Sequence, residues 1–240
     1  MFKRTTCCVV LVLIMLLGLS LQAWAIDYRG IEELIHSKEV AKIEQAIQRL
    51  EAHLAKEPQD GEALWLTAKA YLYLADYTED GKEELLETGK SHAEAAIEAL
   101  PSSPHPYFWH ASLMGRLGQT RGILSSLFMV KPMKEDLEQT IELDPHYADA
   151  HWVLSQLYHQ APGFPLSIGN KKLSLQHAEK AVELDSANLE YQLQLAVALE
   201  YNGRKEEAIQ ILEGLLANPA LRQDPVLKAQ VDEQYADFTK

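Results

Sequence analysis

Nine histidines and 35 acidic side chains are the groups in this 240-residue chain that could do acid–base or metal chemistry. Their spacing argues against both. His105 and His110, or His151 and His159, could share a neighbourhood, but neither pair has the one-turn spacing of a helix-borne zinc site, and there is no HExxH motif. Glu83-Glu84 and Glu206-Glu207 belong to solvated helix faces. Ser125-Ser126 has no base placed for it, and no GxSxG, phosphate-binding loop or dinucleotide fingerprint occurs. The sequence points to no catalytic residue, metal or cofactor. Its remaining candidates are aromatic: Trp65, Trp109 and Trp152 recur 44 and 43 residues apart, with Phe108 in register with Trp65 and Trp152. Such a ladder could stack an apolar ligand or grip a partner helix, or it could simply fill the core.

The elements that must position these rings are helices. Ile97-Glu98-Ala99-Leu100-Pro101, Ile141-Glu142-Leu143-Asp144-Pro145 and Val182-Glu183-Leu184-Asp185-Ser186 each close one unit, and Lys56-Glu57-Pro58 precedes them. Residues 189–220 carry Leu195-Ala196, Leu199, Gly203, Ala208, Leu212, Leu215 and Pro219 at the offsets of a tetratricopeptide repeat. Residues 148–186, 104–145 and 61–101 fit the same pattern, and Ile31 to Pro58 reads as a degenerate first repeat. The spacing therefore predicts one all-α solenoid of tetratricopeptide-like helix pairs over 26–240, ending in a capping helix opened by Asp224-Pro225.

Three of the four turn-to-turn intervals exceed the standard period, at 43, 44 and 41 residues against a final 33. The extra length falls between first and second helices, as insertions at 77–88, 118–132 and 160–171. The second contains the apolar run Ile123 to Val130, expected to be broken by Pro132. The third is turn-rich and carries Phe164, Leu166 and Ile168. Leu127, Phe128, Phe164 and Ile168 join Trp65, Phe108, Trp109 and Trp152 as candidate ligand- or partner-binding residues, on one functional rim. A reading in which these segments lengthen the helices and pack internally stands beside it.

Residues 1–25 read as a cleaved export signal, from Lys3 and Arg4 through the apolar run Cys7 to Leu19 and on to Ala23-Trp24-Ala25. Both cysteines fall inside it, and neither occupies the place of a lipoprotein cysteine. A periplasmic protein is the expectation. Removing Lys3 and Arg4 leaves 20 basic against 35 acidic residues, a field that disfavours nucleic acid.

Gly115-Arg116-Leu117-Gly118, Gly122-Ile123-Leu124-Ser125-Ser126-Leu127, Val130-Lys131-Pro132-Met133, Leu143-Asp144-Pro145-His146-Tyr147 and Pro162-Gly163-Phe164-Pro165 resemble the T component associated with tripartite ATP-independent periplasmic (TRAP) transporters, over residues 60–215. The eukaryotic regulators of microtubule dynamics share a similar helical core, and the export signal favours the bacterial branch. The resemblance implies a non-enzymatic binding protein accessory to a TRAP-type transport system. Its partner would be a periplasmic substrate-binding protein, with a hydrophobic small molecule as a second ligand. A general scaffold for protein–protein contacts in the envelope, without a small ligand, is the alternative, and the apolar 123–130 segment would also suit a homo-oligomer.

Overall fold

Side-chain caps set five of the eleven α-helix starts. Asp27, Asp60, Asn170, Asn188 and Asp224 each accept hydrogen bonds from backbone amides of the first turn that follows. Pro104 and Pro225 occupy first-turn positions, where a missing N–H costs nothing. The computed structural model describes residues 26–78 and 80–240. Among these, eleven α-helices and one short 3₁₀ turn (Pro219–Gln223) form, with no named strand. The helices are α1 (Tyr28–His36), α2 (Val40–Leu54), α3 (Gly61–Tyr77), α4 (Lys82–Ala99), α5 (Pro104–Arg121) and α6 (Ile123–Leu143). They continue as α7 (Ala148–Gln160), α8 (Lys171–Leu184), α9 (Leu189–Tyr201), α10 (Lys205–Ala217) and α11 (Pro225–Phe238).

Each odd-numbered helix packs antiparallel on the even-numbered one after it, giving five pairs closed by α11. The alanines that mark the repeat, among them Ala68, Ala93, Ala96, Ala111, Ala178 and Ala181, are fully buried and let the helix backbones approach. First helices also touch first helices of the next pair (α1 with α3, α3 with α5, α7 with α9), and no two second helices of the described residues meet to that degree. The first helices therefore form the inner layer of a curved stack, and their free faces line its concave side. Leu227, Val231 and Phe238 of α11 cover the last apolar face, against Leu212 and Leu215 of α10.

Two of the three expected insertions are helix rather than loop. α3 runs to Tyr77 and α4 begins at Lys82, while a single residue, Gly122, separates α5 from α6. Pro132 lies inside α6 and does not end it. Its lost hydrogen bond would have gone to the carbonyl of Phe128, on a water-exposed face, and Val130, Met133 and Leu137 hold the helix to the core on both sides of the proline. The α5–α6 approach is close: a Cβ at Gly118 would sit 3.0 Å from Cα of Ser126. Only the third insertion remains a loop, 161–170, pinned by Gly169 N–H donating to the Pro162 carbonyl (2.8 Å) and Asn170 N–H to that of Tyr158 (2.9 Å). The expected signal at 1–25 lies outside the described residues.

Gly122 adopts φ +93° and ψ −179°, a conformation open almost only to glycine. Gly122→Ala should cost about 1–3 kcal/mol, read as a lower denaturant midpoint in a chemical unfolding titration. An unchanged midpoint would mean that α5 and α6 can be joined in another way.

Candidate functional site: the inner face of the stack

Helical spacing places Trp65, Lys69 and Tyr73 on one stripe of α3, and His105, Trp109 and Arg116 on the facing stripe of α5. The Lys69 ammonium is the unexpected centre of this face. Although lysine rarely leaves water, it is 6% exposed. Its Nζ donates to Glu32 Oε1 of α1 at 3.0 Å and lies 5.3 Å from the Trp109 ring and 6.0 Å from that of Trp65. One carboxylate and two indole faces thus replace its water. Trp65 stacks on His105 (4.7 Å between centroids), and His105 Nδ1 lies 3.2 Å from the Tyr147 hydroxyl. Burial, then the Lys69 charge, lowers the pKa of both His36 and His105, which keeps a second positive charge out of this end of the face.

Towards α7 and α9 the sign of the face reverses. Asp149, Glu190 and Asp224 gather there with Arg116 and Lys38. Glu190 reaches water but lies within the curve of the stack. Enclosure, then Asp224 and Asp149, raises its pKa, against the opposing pull of Lys38 and Arg116. Burial, then Asp149, pushes the Tyr73 hydroxyl up to about 12. Groups from α3, α5, α7 and α9 therefore share one electrostatic neighbourhood. Tyr191 donates its hydroxyl proton to Asp149 Oδ1, and its ring lies 6.0 Å from that of Trp152. Deeper in the stack, Gln194 Nε2 donates to Ser155 Oγ (2.9 Å) and Ser174 Oγ to the Ser155 carbonyl (3.0 Å), so that three buried polar side chains join α7, α8 and α9.

The aromatic candidates separate into core and surface. Phe108 is buried among Ala111, Met114 and Leu154 and packs on Tyr147, which takes it out of any ladder. Trp109, one residue on, is the half-buried ring of the inner face, and it also joins three apolar clusters spanning α1 to α7. Trp65 is nearly buried and is linked to Trp109 through Lys69, whereas Trp152 stands with Tyr191. Leu127 and Ile168 are half-buried, Ile168 against the α5–α7 core, while Phe128 and Phe164 project from the edge. The central role of Lys69 was missed. Its position four residues after Trp65, on the α3 stripe, was the signal available.

The histidines of the two pairs weighed from the sequence each take other partners. His110 Nδ1 bonds Asp136 Oδ2 (2.7 Å) and His159 packs on Tyr201, while His151 meets His177 of α8 with Nδ1 atoms 3.0 Å apart. Burial, then the neighbouring His151, lowers the His177 pKa to about 4. Among the described residues no three His, Cys, Asp or Glu side chains are arranged to hold a metal ion.

A family model described as Regulator of microtubule dynamics protein 1-3 matches residues 28–161. Regulator of microtubule dynamics protein 3 of Mus musculus is 33% identical over 99 residues, which is 40% of this chain and 21% of that protein. The match thus spans about a fifth of that relative. Among solved structures, a thermophilic TPR protein of Thermus thermophilus superposes with TM-score 0.63 at 18% identity, covering 88% of this chain and 98% of its own. YrrB, a TPR protein with an unusual peptide-binding site, superposes with TM-score 0.50 at 15% identity, covering 81% and 85%. These structures establish the tetratricopeptide-like fold. The sequence matches correct two expectations. The family is that of the microtubule regulators and not the TRAP T component, and the periplasmic location is overturned, because the curated relatives are animal proteins, from cells that have no periplasm.

The pKa of His177 is lower in the folded chain than the ordinary 6.5, so the unfolded chain binds more protons between that value and about 4. Stability should fall as pH drops through this window, by about 1–3 kcal/mol from this residue. Glu190, with its raised pKa, works in the opposite direction. The measurement is therefore a difference: His177→Gln should lessen the loss of the urea midpoint between pH 7.5 and 5. Equal losses in both proteins would refute the assignment.

Proposed function

The chain belongs to the Regulator of microtubule dynamics protein 1-3 family, and on that premise we propose that it is a non-enzymatic protein-interaction scaffold whose inner face holds a segment of a partner protein. The carrying observation is the composition of that face. Half-buried Trp109, Trp152 and Tyr73 alternate with Asp149 and Glu190, and at the α7–α9 end acidic groups outnumber basic ones. A segment with apolar side chains and lysine or arginine at helical spacing complements both features. Lys69 is committed to Glu32 and two indoles, so it acts to hold the face in shape rather than to meet the partner.

The name of the mouse relative attaches that protein to microtubule dynamics. We carry over the class of role, the bringing together of proteins that act on the microtubule system. YrrB supports the mode, since a peptide-binding site has been described on that related stack. The chain's net charge of −13 favours association with cationic partners.

A synthetic lysine-rich amphipathic peptide tests the reading by calorimetry. It should bind, and Trp152→Ala and the pair Asp149→Asn, Glu190→Gln should each weaken binding about 5- to 30-fold, with the affinity falling as salt rises. Equal binding of an acidic peptide of the same apolar pattern, or affinity unchanged in these variants with the fold intact, would refute it.

A further inference from the structure

Five of the eight exposed large hydrophobic side chains of the described residues lie on one edge of the stack: Ile123 (89% exposed), Leu124 (76%), Phe128 (81%), Phe164 (93%) and Leu166 (75%). Scattered singly they would need no explanation, but all five fall in two short segments. All first-to-second-helix connections emerge on this edge, and the α5–α6 and α7–α8 connections are neighbours along it. α6 has 21 residues against 14 in α8, and both end at the same point of their repeats. The α6 start therefore overhangs α8 by about 10 Å, at 1.5 Å per residue, and its bare side chains crown a projecting tip.

The α5–α6 and α7–α8 part of this edge reverses the charge of the rest of the chain, whereas the α3–α4 connection before it carries Asp76, Asp80, Glu83, Glu84 and Glu87. Stretches 99–134 and 150–178 contain no Asp or Glu, in a chain of net charge −13. They carry Arg116, Arg121, Lys131, Lys134, Lys171 and Lys172. Arg121 is held by Glu83 and Glu87, and Arg116 by Asp76, which brace the tip against the preceding pair. Lys134 is paired with Glu138 (2.6 Å). Lys131 has only a loose partner, Glu135 at 3.7 Å, and its side chain is 81% exposed, while Lys171 and Lys172 are exposed beside the 161–170 loop.

We propose that this edge docks on a lipid bilayer surface bearing acidic headgroups, with Leu124, Phe128, Phe164 and Leu166 entering the headgroup–acyl boundary and Lys131, Lys171 and Lys172 meeting the phosphates. Bulky apolar side chains at the tip of a convex projection, rimmed by Lys131, Lys134, Lys171 and Lys172 against Glu135 and Glu138, suit a soft interface that closes around them. A rigid protein partner would need a matching pocket. The acidic remainder of the chain, the α3–α4 connection included, is repelled by such a surface, which tilts the approach onto the α5–α6 and α7–α8 tips and leaves the inner face open to solution.

Hydrogen–deuterium exchange of the full chain, with and without vesicles of phosphatidylcholine and phosphatidylserine, locates the contact directly. Exchange should slow over 122–132 and 161–169 when vesicles are present. Leu124→Asp with Phe128→Asp, and separately Phe164→Asp with Leu166→Asp, should abolish that slowing and reduce co-sedimentation at least about tenfold, the change that 1.4 kcal/mol corresponds to. Both pairs occupy exposed positions, and circular dichroism of each variant should match that of the parent chain. Vesicle binding without slowing in these segments would overturn the proposal. So would slowing there that grows with protein concentration in the absence of vesicles, since a second copy of the chain would then be the occupant.

Discussion

No helix pair in this chain can bury its own apolar face, and everything else follows from how closely the next pair can approach. The approach is set by alanine. Ala68, Ala93, Ala96, Ala111, Ala178 and Ala181 have no measurable exposure, and each stands where a neighbouring helix crosses. A larger side chain at such a crossing forces backbones apart, at a typical cost of about 1–3 kcal/mol. Because first helices meet first helices while second helices stay apart, close packing on one side bends the stack and creates a concave face.

That curvature changes what the inner side chains can be. A lysine at position 69 on a flat helical surface would lie in water. Here it is enclosed by Trp65, Trp109 and Glu32, contributed by three helices of three successive pairs, so its burial depends on the stack being complete. Removing one partner would leave an uncompensated charge, and the site is therefore a register between pairs as much as a surface. Farther along, the same curvature gathers Asp149, Glu190 and Asp224 without enough cations to balance them. Enclosure first, and then Asp224 and Asp149, raises the Glu190 pKa. A cationic occupant would relieve the acidic surplus.

Reading the sequence reached the fold because the fold is local and repeated. Alanines at fixed offsets, Leu-Asp-Pro turns and a capped terminal helix each depend on a few neighbouring residues. What depends on the bend was not legible. Lys69 resembles any surface lysine until α1 and α5 close over it. His151 and His177 lie 26 positions apart and meet only through the α7–α8 packing. Pro132 suggested a break, yet the flanking core contacts of α6 outweigh one lost hydrogen bond made to an exposed carbonyl. Phe108 and Trp109 show the sharpest limit: one residue of helical phase decides which ring faces the groove. The family assignment went astray for a related reason. The segments around Gly115 to Pro132 carry helix-pairing information common to more than one branch of this repeat architecture, and the N-terminal run tipped the choice.

The most direct measurement is solution NMR of the chain as a lysine-rich amphipathic peptide is added, following the indole N–H signals of Trp65, Trp109 and Trp152. Docking on the inner face predicts that the Trp109 and Trp152 signals shift with a common saturation curve. The Trp65 signal, nearly buried under Lys69 and His105, should move least. Saturable binding that leaves Trp109 and Trp152 unmoved and perturbs only signals of the outer helices would contradict it.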